Sequence, residues 1–298
     1  MQVIIHALQQ NQEDILAIPF PPENTYESVL FGMLQKFSTP HKYNVGDKIK
    51  DPTSPKNTMI SLKFLMLKVM FGAHREAPIE ENKQYDAGEC IFFLLNKVDQ
   101  LAILNHEVRD QFKCNRCNYT GLTDNPVRIS DIEISNIRTE NGRERFSGKD
   151  AIIRYFQSPE EYERSCDCGY PKSTKELILR NSPDYLFVQF KRFFTTGPIT
   201  RSRKTEKINA ELDFFPVVQI KSLNNIDGNC QSVMNEYKII ATIEHIGNKM
   251  ENGHYQSYIL KNDHWIRCND EELKQLPINC TDPIRNAYIL LLKRMRTF

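Results

Sequence analysis

The chain has 298 residues, 40% of them hydrophobic and 26% charged, a balance that supports a full core and argues against disorder. Lysine and arginine total 39 against 38 aspartate and glutamate, so no global field points to nucleic acid or to an anionic membrane, and a partner must be recognised by local shape. The longest apolar runs, "IFFLL" and "YILLL", fall far short of the roughly 20 residues that span a bilayer.

The N-terminal "MQVIIHALQQNQEDI" has no basic n-region and no small-residue cleavage site, so no secretory signal is expected and the cytosol or nucleus is the expected compartment. There, eight cysteines serve as thiols, metal ligands or nucleophiles rather than as disulfides. The first hundred residues read mainly as helices. "YESVLFGMLQKF" spaces Val29, Leu30, Met33, Leu34 and Phe37 at helical intervals, with Asn24 or Thr25 as a cap. "SLKFLMLKVMF" repeats the pattern, as does "DAGECIFFLLNKVDQL", where Ala87, Ile91, Leu94, Leu95 and Val98 line one face. Between the first two, "STPHKYNVGDKIKDPTSPKNT" lacks periodicity and reads as a surface loop.

After about residue 110 the pattern changes. "VRISDIEI", "DYLFVQFKRF", "DFFPVVQI", "YKIIATIEHI", "YQSYIL", "HWIRC" and "AYILLL" are short, rich in β-branched and aromatic residues, and separated by turn formers. "SLNNIDGNCQSVMNE" and "TTGPITRSRKTEK" read as loops between strands. Helices followed by a run of strands predict an α+β architecture rather than a doubly wound sheet.

Four cysteines form two local pairs, Cys114 and Cys117 at C-x-x-C spacing and Cys166 and Cys168 at C-x-C spacing, with 48 residues between the pairs. Each tight turn presents two sulfurs on one side, which suits a tetrahedral structural zinc tying two distant hairpins together. Gly169 supports a second turn of this kind, and four unmetallated thiols remain the alternative. Cys90 reads as a helix residue of the core, while Cys230, Cys268 and Cys280 lack paired spacing.

A general-base histidine needs an acceptor on one ring nitrogen and a nucleophile within reach of the other. His254 follows Gly253 at the start of a strand, and Asn269 or Asp270, beyond Trp265 on the next strand, stands ready to accept from it. Spacing alone leaves a structural imidazole as the commoner case. His245 reads as a strand-end residue, His6 as a packed one, and His41, His74 and His106 as lying in or beside loops.

Several segments in order then resemble the catalytic domain of the ubiquitin-specific proteases, papain-like cysteine proteases that cleave ubiquitin from its conjugates. "QYDAGECIFFLL" at 84–95 is similar to the family's Gln-Gln-Asp-Ala-x-Glu-Phe helix, with Tyr85 and Cys90 as departures. "CNRC" and "CDCG" stand where the family's finger zinc site stands, and "PDYLFVQFKRF" is similar to its strand ending in Lys-Arg-Phe. "YKIIATIEHIGNKMENGHYQSYI" resembles its His box, and "HWIRCND" followed by "AYILLL" closes the domain in the same way.

The resemblance implies one domain over 1–298, with a helical thumb to about residue 105, zinc-bearing β fingers over about 106–180 and a β-rich palm over about 181–298. It makes His254 the base, Asn269 the third triad member and Asp270 the acidic residue after it, with Cys114, Cys117, Cys166 and Cys168 as zinc ligands. Ubiquitin and ubiquitinated proteins are the implied partners. The family's nucleophilic cysteine sits in a Cys box that would fall two residues before Met1, and Cys90 is a poor substitute on a different helix. The chain as given is therefore expected to bind ubiquitin without cleaving its isopeptide bond, since losing the nucleophile removes most of the rate enhancement. The alternative is an active deubiquitinase whose Cys box is missing from this sequence. A zinc-ribbon nucleic-acid binder, suggested by the cysteine pairs and "RSRKTEK", is disfavoured by the near-zero net charge.

Overall fold

The structure, a computed structural model, describes residues 86–117, 119–196, 204–226, 229–249, 252–270 and 272–295, with Thr25, Leu30, Phe31, Ile49–Lys50 and Met59–Ile60. Most of the first two amphipathic patterns lies outside the described residues, as do Tyr85, His6, His41 and His74. Leu30 and Phe31, from the first pattern, are helical and fully buried. Strand β1 (Ile49–Lys50) pairs antiparallel with β2 (Met59–Ile60), which places a strand inside the stretch expected to be only a loop.

Helix α1 (Ala87–Lys97) forms where the sequence predicts it. Asp86 caps it, its Oδ1 accepting from the Glu89 backbone N–H at 2.9 Å. Ile91, Leu94 and Leu95 are buried along one face, each worth about 1.5–3 kcal/mol relative to exposure. The helix ends where Val98 turns extended, and a 3-10 turn over Asp99–Leu104 follows.

Strands then dominate, beginning with β3 (His106–Cys114), β4 (Thr120–Val127), β5 (Ser130–Ile132), β6 (Arg138–Glu140) and β7 (Arg143–Phe146). Helix α2 (Gly148–Gln157) interrupts them, and β8 (Glu160–Glu163), β9 (Lys172–Arg180), β10 (Tyr185–Phe190), β11 (Phe193–Thr196), β12 (Lys204–Lys207) and β13 (Glu211–Leu212) follow. The long β14 (Val217–Ile226), β15 (Asn229–Lys249) and β16 (Asn252–Lys261) lead into β17 (His264–Asn269) and β18 (Glu272–Gln275). Helix α3 (Asp282–Arg285) and β19 (Ala287–Arg294) close the chain. None of the described helices is long and apolar enough to cross a membrane.

The chain divides into two compact units, Met1–Leu104 with Ile243–Cys280, and Asn105–Thr242 with Thr281–Phe298. In the first, β16, β17 and β18 form an antiparallel meander beside the end of β15. The β16–β17 connection is the two-residue Asn262–Asp263 turn, with φ of 49° and 59°, the paired left-handed geometry that a tight hairpin requires.

In the second unit β10 pairs antiparallel with β19, and Leu186, Phe187, Val188 and Leu290–Leu292 are fully buried, as their near-continuous apolar sequence requires. Arg192, from the Lys-Arg-Phe stretch, is buried and donates to the carbonyls of Ala287, Ile208 and Ala210 at 2.8–3.1 Å, so its guanidinium serves the packing.

Two expectations are corrected here. Residues 222–236, read as a loop, belong almost entirely to the β14–β15 hairpin, whose ladder runs from Val217↔Lys238 to Ile226↔Asn229. Buried Ser182, Ser222 and Asn235 bond one another and Asn224 at 2.7–3.0 Å, so these polar residues are satisfied by contacts remote in sequence. The second predicted loop contributes β11 and β12, which pair with each other. His106, expected in or beside a loop, follows the irregular Asn105 and opens β3; it is buried and meets Ser130 Oγ at 2.8 Å through Nε2.

Candidate active site and metal centre

Four of the residues singled out from the sequence as ligands converge in the second unit. Cys114 ends β3, Cys117 follows it in a turn, and Cys166 and Cys168 lie between β8 and β9. β9 pairs with both β3 and β8, with Cys114 opposite Ser173 and Glu163 opposite Lys172. This shared neighbour brings the two turns together across a gap of about 50 residues. Cys166 accepts from the Gly169 N–H at 2.8 Å, and Gly169 takes a φ of 78°, which an L side chain rarely adopts. The expectation that this glycine helps to form a second turn agrees with that geometry.

The four Sγ atoms all lie within 4.8 Å of one another. Cys114 to Cys168 measures 3.7 Å and Cys117 to Cys166 measures 3.6 Å. A tetrahedral zinc with sulfurs at about 2.3 Å sets them about 3.8 Å apart, so the donor set fits such an ion in both chemistry and spacing. The backbone N–H groups of Cys117 and Arg116 pull the Cys114 thiol down to about 6, and the latter donates to its Sγ at 3.4 Å. Together they favour the thiolate that a metal requires.

The imidazole site is assembled within the first unit. Ser257 pairs with Cys268 across β16 and β17, and extending this register by one step sets Gln256 opposite Asn269. Residues 254 and 256 share a face of the strand, so His254 and the Asn269 side chain meet diagonally. His254 Nε2 is hydrogen-bonded to Asn269 Oδ1. A carbonyl oxygen can only accept, so Nε2 carries the proton and the lone pair of the neutral ring lies on Nδ1. Asp270, the other candidate acceptor, stands off at 3.9 Å from Nε2 and its side chain is 80% exposed. It occupies a left-handed position, φ 49°, at the turn into β18.

The face bearing His254 continues with Gln256 and Tyr258, both held by the Glu244 carboxylate on β15. Gln256 Nε2 donates to Glu244 Oε2 at 2.6 Å and the Tyr258 hydroxyl donates to the same oxygen at 3.0 Å. On the other face, the Tyr255 hydroxyl donates to Asp86 Oδ2 at 2.8 Å, tying β16 to the cap of α1. Burial first, and then the Asp86 charge, hold the Tyr255 phenol well above its ordinary range. None of Glu244, Asp86 and Tyr255 was named as a site residue from spacing, because their partners are set by pairing between strands.

None of the eight cysteines bonds His254 among the described residues. Cys268 projects from the opposite face of the hairpin, since its partner Ser257 is three residues from His254. Cys90 sits on α1, where burial first and then nearby Asp86 and Glu89 push its thiol up to about 11. A thiol protonated throughout the neutral range is a poor nucleophile.

The second unit also holds an open cavity of about 450 Å³ between α2, β5, β8 and β9. Arg154, Lys175 and Lys191 line it together with Asp131, Glu133 and Glu160, so its wall is charged but balanced in sign.

Comparison with known proteins bears on the family and the fold. A family model described as ubiquitin carboxyl-terminal hydrolase matches residues 2–292. Ubiquitin carboxyl-terminal hydrolase 27 of Mus musculus is 29% identical over 140 residues, covering 42% of this chain and 32% of that protein. Ubiquitin carboxyl-terminal hydrolase 4 of Arabidopsis thaliana is 26% identical over 192 residues, covering 62% and 47%. The chain thus spans between about a third and a half of the length of these relatives. Among solved structures, the SAGA Ubp8/Sgf11/Sus1/Sgf73 DUB module bound to ubiquitin aldehyde aligns with a TM-score of 0.66 at 15% identity, covering all of this chain and 66% of that one. A likeness at that identity speaks for the fold, and the family model speaks for descent. The chain belongs to the ubiquitin carboxyl-terminal hydrolase family, with the α+β fold of a ubiquitin-specific protease domain.

Proposed function

We propose that these 298 residues bind ubiquitin and present His254, oriented by Asn269, as the base of a cysteine deubiquitinase site, without themselves cleaving the isopeptide bond. The observation that carries the reading is the His254 Nε2 to Asn269 Oδ1 bond. It fixes one tautomer, and Nδ1 is left to accept a thiol proton. Asn269 does this as a neutral group, so it orients the ring while stabilising an imidazolium less than a carboxylate would. Cleavage further requires a thiolate within hydrogen-bond reach of Nδ1, and among the described residues none of the eight cysteines bonds that ring.

Ubiquitin recognition needs no nucleophile, so affinity survives without chemistry. Cys114, Cys117, Cys166 and Cys168 would hold a structural zinc, which supplies a cross-link between two turns and no catalytic step. Titration of the 298-residue chain with ubiquitin tests the reading. Saturable binding is expected, and no heat or shift change up to millimolar ubiquitin would overturn it. Preferential binding of a DNA duplex in the same assay would favour a nucleic-acid role instead.

A second reading is favoured by the intact base and acceptor: an active deubiquitinase whose nucleophile is encoded outside these residues. The transcript upstream of the Met1 codon separates the two, since an in-frame Gly-Asn-x-Cys-Tyr would replace the first reading with the second.

A further inference from the structure

His245 lies on β15, one strand away from His254, and it is 3% exposed. Its ring touches both residues that flank His254. A Cβ built on Gly253 would stand 2.8 Å from His245 Cε1 and 2.5 Å from the Ile246 carbonyl oxygen, so β16 passes the imidazole at a distance only glycine allows. On the other side of His254, the Tyr255 ring meets the His245 ring edge to face with centroids 4.8 Å apart. Successive side chains of a strand alternate between faces. Gly253 and Tyr255 therefore rest on His245 behind the strand, and His254 projects forward to Asn269.

We infer that His245 is a positioning residue for His254, a rigid support behind the strand that keeps the His254 ring within hydrogen-bond reach of Asn269. The inference rests on the reading of His254 as the base. Three features make the support stiff. The His245 ring is buried, the Tyr255 ring against it is pinned by the Asp86 bond at 2.8 Å, and Asp86 is itself fixed by the α1 N–H of Glu89. Side chains of this kind hold a reacting group in place by packing around its neighbours without touching the reacting atoms. Removing the His245 ring leaves space behind Gly253 and Tyr255, into which the strand can relax. A shift well under 1 Å weakens a single hydrogen bond whose geometry has a narrow optimum.

The test uses the whole 298-residue chain and the imidazole Nε2 proton of His254, followed by NMR at low temperature. Asn269→Ala assigns the signal, since the bonded proton must disappear in that variant. In His245→Ala the exchange of this proton with water is expected to rise about tenfold, the loss of one net hydrogen bond. Leu94→Ala, at a buried position of α1 in the same unit, controls for general loosening and is expected to lose at least as much stability while leaving the proton protected. Unchanged exchange in His245→Ala overturns the inference and leaves the base assignment standing. Equal acceleration in Leu94→Ala also overturns it, because His245 would then act only through stability. If the unsubstituted chain shows no Asn269-dependent proton at all, the base assignment itself fails.

Discussion

The imidazole site and the thiol cluster are assembled over very different lengths of chain. His254 and Asn269 are 15 residues apart on two strands of one meander, and a two-residue turn fixes their register. The paired thiols are 49 and 54 residues apart and meet because β9 pairs with both β3 and β8. The first arrangement needs nothing bound, since one hairpin dictates it. The second crowds four sulfurs that make only weak hydrogen bonds with one another, so a metal is what turns their proximity into stability.

The largest expected effect follows from that contrast. Cys114→Ser, or removal of metal by a chelator, is expected to abolish stoichiometric zinc binding and to cost on the order of 5 kcal/mol in the second unit. Amide exchange should accelerate at the facing ends of β3, β8 and β9 while β16 and β17 keep their protection. Equal loss in both units would break the comparison.

At the other end of β3, acid should weaken the same unit for a different reason. His106 Nδ1 is buried without a partner among the described residues, and burial holds the ring down to about 3, against an ordinary 6.5. The unfolded chain therefore takes up this proton first. The contribution to stability is fully present above about pH 6.5 and is lost as pH falls towards 3, by up to about 1.4 kcal/mol per unit. Denaturant unfolding between pH 7 and 4 measures this slope, and His106→Asn should flatten it by most of that amount.

In the first unit the effects are smaller and more local. Gly253→Ala is expected to cost about 2 kcal/mol through overpacking against His245 and the Ile246 carbonyl, read as a lowered urea midpoint. Asp270→Asn, which removes the charge but keeps a side chain that tolerates the left-handed φ of 49°, should change neither stability nor the His254 proton, because an exposed carboxylate at 3.9 Å contributes little. A clear loss would move the orienting role from Asn269 to Asp270.

The sequence made some of this legible and hid the rest, for identifiable reasons. Helix α1 was readable because its apolar residues recur with helical period and Asp86 caps it. Helix α2 carries a weaker signal, although Ser147 caps it, accepting from the Asp150 N–H at 3.2 Å, and Ala151, Ile152 and Phe156 bury one face. Its short pattern lies within a stretch dominated by charged and turn-forming residues. The β14–β15 hairpin has the composition of a loop because Ser222, Asn224 and Asn235 are turn formers, and Ser182, some 40 residues away, completes their bonding. His254, Asn269 and the four cysteines were legible from spacing and motif. His245 looked like an ordinary strand-end residue, since its contacts with Gly253 and Tyr255 depend on how β15 and β16 lie together.

The most direct test of the account is the intact mass of the 298-residue chain after incubation with a ubiquitin probe carrying a thiol-reactive C-terminus. With His254 and Asn269 in place and no cysteine at the ring, the chain is predicted to bind the probe reversibly and to show no mass increase. A covalent adduct at any of the eight cysteines would contradict it and identify the nucleophile.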